Sequence, residues 1–133
     1  MIQRIQSIYL LIAGIAMALV SFKVPVWSLK EEFTFAQDDT KMFILTITAT
    51  LFSTLAIFMF NNRKLQMKFI RLAILIITVI AARLGLLIGI TEFDFVLNYN
   101  CIGLLSFALV ALVLAYRGVK KDDDLVRSVD RIR

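Results

Sequence analysis

The chain has 133 residues, 60% of them hydrophobic, with one cysteine, no histidine and a net charge of +5. That content excludes a disordered chain and argues against an ordinary soluble domain. The missing histidine excludes His-based acid–base chemistry and His-ligated metal sites, and a lone cysteine excludes an intrachain disulfide.

The positive residues flank apolar runs and form no basic soluble face, so a nucleic-acid partner is not expected. The first run, Ile5 to Phe22, is free of charge. A signal peptide ending near Ala16-Met17-Ala18 is the competing reading, but the run exceeds the usual h-region of roughly 7–15 residues. Gly14 and Ala18 are a small-residue pair suited to helix packing.

Lys23 to Lys41 is polar. Pro25 stops the preceding helix or lies just past it. Val24, Val26, Trp27 and Leu29 are β-prone, and Phe33-Thr34-Phe35-Ala36 alternates with period two, which reads as a hairpin. Trp27 is read as an interface anchor, because indoles collect at the headgroup level.

Met42 to Phe60 is a second uncharged run. Thr46, Thr50 and Ser53 share one side of it and suit helix packing; a solute path lined by hydroxyls is the alternative. The connector, residues 61–71, carries Arg63, Lys64, Lys68 and Arg71 and no acid. Leu65, Phe69 and Leu72 at i, i+4, i+7 predict that the third helix begins before it enters lipid.

Leu72 to Ile90 organises the rest. It reaches roughly 28 Å at about 1.5 Å per residue, close to a bilayer's hydrocarbon thickness. Ala81, Gly85 and Gly89 share one face and predict close approach by a neighbouring helix. Arg83 is the one ionisable group in the run. An intramembrane arginine costs about 2.5–3.5 kcal/mol on insertion scales and is a functional candidate. The alternative is structural: its long side chain snorkels or pairs with a carboxylate of the polar loops.

Residues 91–100 hold the alternating Glu92, Phe93, Asp94 and Phe95, then Val96 and Leu97, which fit a third strand. Asn98 and Asn100 are placed to hydrogen-bond Arg83. Cys101 to Tyr116 is the fourth run; it is slightly short and can borrow Tyr99 and Asn100. Cys101 reads as a small buried residue, and Ala111 and Ala115 as a packing pair.

In the tail, 117–133, Gly118 is a predicted helix stop. Beyond Asp122, Asp123 and Asp124, the residues Leu125, Val126, Val129 and Ile132 fit one face of a narrow amphipathic helix. Asp123 and Arg127 are a favourable i, i+4 pair. That face is a candidate docking surface for a cytosolic or membrane protein; a solvated or membrane-skimming tail is the alternative.

The expected fold is therefore an all-α membrane protein. It is one domain, 1–133, a bundle of four transmembrane helices at about 5–22, 42–60, 72–90 and 101–116. A small extracytoplasmic β-hairpin or three-stranded sheet and a short cytoplasmic C-terminal helix complete it. Arg4, the four connector charges and six Lys/Arg of the tail fall on one side, against Lys23, Lys30 and Lys41 on the other. By the positive-inside rule both termini are cytoplasmic. The acids Glu31, Glu32, Asp38, Asp39, Glu92 and Asp94 then share the outer side and are the expected partners of Arg83.

The opening Met1-Ile2-Gln3-Arg4-Ile5-Gln6-Ser7-Ile8-Tyr9-Leu10-Leu11 resembles the start of a family of small four-span inner-membrane proteins of unknown function from Bacteroidota. The closing Lys120-Lys121-Asp122-Asp123-Asp124-Leu125-Val126-Arg127-Ser128-Val129-Asp130-Arg131-Ile132-Arg133 is similar to that family's end. The resemblance implies a bacterial inner membrane and no particular activity. The layout more loosely resembles claudin-type tetraspans, without the cysteine pair of their first loop.

Three functions compete. The first is an accessory, scaffold or interaction subunit of a membrane complex, with the bilayer as its medium. The second is a small transporter or channel component using Arg83 for an anionic solute. The third, an enzyme, is disfavoured: no catalytic constellation and no cofactor pattern is legible.

Overall fold

The structure, a computed structural model, describes residues 2–29, 32–90 and 95–130. Among them are four long helices, α1 (Ile2–Phe22), α2 (Thr40–Phe58), α3 (Arg63–Ile90) and α4 (Tyr99–Asp130). Three short strands, β1 (Pro25–Leu29), β2 (Glu32–Phe35) and β3 (Phe95–Leu97), lie between them, and a 3-10 turn at Met59–Asn61 joins α2 to α3.

The strands form one antiparallel sheet in the order β2-β1-β3. Trp27 faces Thr34 on one side and Leu97 on the other. Pro25 opens β1, where its missing N–H costs no ladder bond. Because β1 follows α1 and β3 precedes α4, the sheet gathers the end of α1, the start of α2, the end of α3 and the start of α4. Each helix therefore runs antiparallel to the next, an up-down-up-down bundle with a sheet end and a connector end.

Each helix buries one stripe, and the stripes step alternately by four and three residues. In α1 they are Gln6, Leu10, Ala13, Met17 and Val20–Ser21; in α2, Met42, Thr46, Ala49, Ser53 and Ala56. Gln66, Ile70, Ala73, Ile77, Ile80 and Leu84 do the same in α3, as do Cys101, Leu105, Ala108, Leu112, Ala115 and Val119 in α4. A step averaging three and a half residues is that of helices crossing at a shallow angle. α1 shares its largest interface with α4 and packs also on α2; α2 packs on α3, and the α3–α4 contact is the smallest of the four.

The exterior is apolar on all four helices: Ile8, Leu11 and Ile15, Ile44 and Leu51, Leu75 and Leu86, Phe107 and Val110 are exposed. A soluble monomer seldom carries so much contiguous apolar surface.

Hydroxyls make α2 a packing element. Thr46, Thr50 and Ser53 donate to the carbonyls of Phe43, Thr46 and Ala49 at 2.8–3.0 Å. Their polar atoms are thus satisfied within the helix. A Cβ added to Gly14 would meet Thr54 Cγ2 at 3.5 Å and Ser53 Cβ at 3.9 Å, which is ordinary contact. Gly14→Ala should therefore be accommodated and stabilise by up to about 1 kcal/mol through helix propensity. Gly14→Leu, which has no room, should cost about 1–3 kcal/mol, read as an earlier midpoint in detergent unfolding.

Three expectations need correction. The C-terminal helix is not a separate element: α4 is one helix of 32 residues through Gly118 to Asp130. Gly118 is no helix stop because Gln6 of α1 packs on it where a Cβ would stand. Among the described residues no helix closes on Gly85 or Gly89: a Cβ added at either would meet nothing within 4 Å, and Ala81 and Gly85 line an open groove beside Ile102 and Leu105 of α4. The third helix does begin early, at Arg63.

Candidate functional site

Among the described residues, charged side chains lie toward the two ends of the bundle, and each end holds a built cluster. At the sheet end, Asp39 is the N-cap of α2, in extended backbone. Its Oδ1 accepts from the amides of Lys41 (3.0 Å) and Met42 (3.4 Å). Its Oδ2 accepts from Nη2 of Arg83. The cap thus satisfies two orphan amides and holds the arginine with the remaining oxygen. The two side chains keep 21% and 26% of their area, so the pair is shielded but not sealed.

Arg83 is therefore matched by a carboxylate of the first polar loop. Glu31, Glu92 and Asp94 lie outside the described residues. Asn98 and Asn100 do not reach it. The Asn98 side chain instead accepts from the amide of Asn100 at 2.9 Å and caps the start of α4, while the Asn98 amide donates to the Val26 carbonyl at 3.1 Å. Trp27 is half-buried in the central strand, packed on the core beneath the sheet.

At the connector end three chain segments meet. Gln6 of α1 donates to Asp122 Oδ2 of α4 at 2.9 Å. Arg63, at the start of α3, donates to the Asp122 carbonyl at 3.3 Å. Asp123 pairs with Arg127 one turn on at 2.8 Å. Sequence reading singled out the Asp123–Arg127 pair but missed Gln6. Its signal was a polar residue four positions before Leu10, on what proves to be the buried stripe.

Asp123 still lies against the connector, beside residues 60–64, and over residues 124–128 the helix is exposed. Leu125 and Val126 are 50% and 44% exposed. Of the candidate docking face, the Val129 side chain and all of Ile132 lie outside the described residues. A third contact on this half joins Arg71 of α3 to Tyr116 of α4: Nη2 and Nε donate to the hydroxyl at 2.6 and 3.1 Å.

Among the described residues, no group of three or more His, Cys, Asp or Glu side chains is placed to hold a metal ion. Cys101 is a buried free thiol.

Four helices long and apolar enough to cross a membrane, with charge kept to their ends, are the build of a multi-pass membrane protein. The chain belongs to the family described as "Domain of unknown function (DUF4293)", whose profile matches residues 2–132. Neither a curated protein nor a solved structure matches the chain.

Proposed function

We propose that this is an interaction protein of a bacterial inner membrane, an accessory or scaffold subunit that catalyses no reaction. Both termini and the connector face the cytoplasm, and the sheet faces out, in keeping with the excess of Lys/Arg at the connector end. The observation that carries the reading is α4. It leaves the bundle as an unbroken helix, is tied at Asp122 to α1 and α3, and presents Leu125 and Val126 bare. A tail serving only solubility needs neither the tie nor the apolar pair. A fixed helix holds a partner's groove at set height and angle.

The uncovered Ala81–Gly85 face of α3 gives a second helix a place to approach. The transporter reading has less support, since the charge of Arg83 is matched by Asp39.

The test is a photoreactive residue at Val126 of the full chain in native membranes. A discrete protein adduct, lost in Leu125→Asp, is the expected result. Adducts to lipid alone would sink the reading.

A further inference from the structure

The structure also carries a groove on the outer side of α3 and α4 in their connector-end half, about 430 Å³, lined by Arg71, Ile74, Leu75, Thr78, Val79 and Tyr116. Its two ends differ in charge, with Arg71 at one and only uncharged residues at the other. From Arg71 to Val79 it runs along α3 for about 12 Å at 1.5 Å per residue, within one leaflet of a roughly 30 Å hydrocarbon core. Its wall is apolar: Thr78 turns its hydroxyl back to the Ile74 carbonyl at 2.9 Å.

Its head is cationic. The guanidinium of Arg71 lies 5.2 Å from the Tyr116 ring centroid and spends two of its donors on that hydroxyl. Five N–H donors are available to arginine, so three remain. The hydroxyl accepts from Arg71 and keeps its own proton to donate. Among the described residues no carboxylate pairs with Arg71, and its partner is neutral. Lys68, one turn nearer the connector, is exposed and adds positive charge. An unmatched cation and a hydroxyl donor at the mouth of an apolar channel complement a phosphate with a hydrocarbon chain below it.

We propose that this groove binds one anionic phospholipid. Arg71 and Tyr116 donate to its phosphate oxygens, and an acyl chain lies along Ile74, Leu75, Thr78 and Val79. The proposal rests on the membrane reading of the fold and is independent of the partner reading of the tail.

The test uses the full chain extracted in mild detergent and titrated with phosphatidylglycerol or phosphatidylcholine of identical chains, with bound lipid counted by native mass spectrometry. The wild type should hold phosphatidylglycerol about tenfold more tightly, because in phosphatidylcholine the choline of the same headgroup already neutralises the phosphate that Arg71 would pair with. Arg71→Gln should bring the ratio near one, and Arg71→Lys should keep most of it. Thr78→Trp, which fills the channel from an exposed position, should weaken both lipids. Equal binding of the two lipids by the wild type would overturn the proposal. So would a preference that survives Arg71→Gln in a variant with unchanged helical circular dichroism. Release of the protein from native membranes by carbonate is a separate result: it would remove the membrane reading, and this site with it.

Discussion

Asp39→Ala should destabilise the bundle by about 3 kcal/mol, whereas Arg83→Leu should change it by less than about 1 kcal/mol. The two residues share one ion pair, yet they are not equivalent. Asp39 also caps α2 through its other oxygen, and a lost cap costs about 1 kcal/mol. Its removal leaves the Arg83 charge without a partner. Stranding one member of a fully buried pair costs about 3–5 kcal/mol; here roughly a quarter of each side chain still meets solvent, so the cost falls below that range, to about 2 kcal/mol. Arg83→Leu leaves one oxygen of Asp39 without its partner, but that carboxylate still accepts from two amides at a helix N-terminus, which favours its charge, and an apolar residue suits an apolar helix. Asp39→Asn keeps a capping oxygen and should fall between them. The double variant Asp39→Ala with Arg83→Leu should recover most of the loss beyond the cap. Unfolding by sodium dodecyl sulfate in mixed micelles reads all four. If Arg83→Leu costs as much as Asp39→Ala, the arginine has a further partner and the account fails.

Gly118→Leu should cost about 2–3 kcal/mol and free the end of α4. A Cβ at Gly118 falls 2.8 Å from Cγ of Gln6 and 3.2 Å from its amide nitrogen. The first of these is mid-chain, so Gln6 must swing away and release Asp122. Replacing glycine within a helix gains about 1 kcal/mol of propensity. Overpacking costs about 1–3 kcal/mol, and the lost hydrogen bond about 0.5–1.5 kcal/mol. The balance is against Gly118→Ala slightly and against Gly118→Leu clearly. Trypsin cleavage at Lys120 and Lys121 should accelerate in Gly118→Leu, with faster amide exchange beyond them. Unchanged cleavage would mean that the tie at Asp122 is not what holds the helix end.

Much of this architecture can be read from the chain, because lipid-crossing helices must be long, apolar and internally hydrogen-bonded. The spans, the three strands and the early start of α3 follow from run length and period. The partner of Arg83 was legible only as one of several loop acids. Locating the turn narrows it: Asp39 and Arg83 lie equally far from Asn61 along the chain, and antiparallel helices bring such positions level. Phe52 and Phe69, stacked at 5.8 Å, lie within one residue of the same symmetry about the turn. The continuation of α4 was hidden because a glycine before a charged run has the pattern of a helix stop. What overrides it is a residue of α1, remote in sequence. The small face of α3 misleads for the opposite reason. Spacing shows that a helix could approach, and cannot show that among the described residues α4 leaves an open groove there.

The Gln6–Asp122 bond spans 116 residues, and the broadest interface in the bundle joins the first helix to the last. The helix made first must therefore wait for the helix made last. Until α4 has been synthesised, the inward stripe of α1 has only α2 to cover it. A ribosome stalled within the fourth helix would leave an incomplete ring with a naked seam. Exposed seams of this kind are where unfinished membrane proteins are open to proteolysis, so the α1–α4 contact should decide how long a chain truncated within α4 survives.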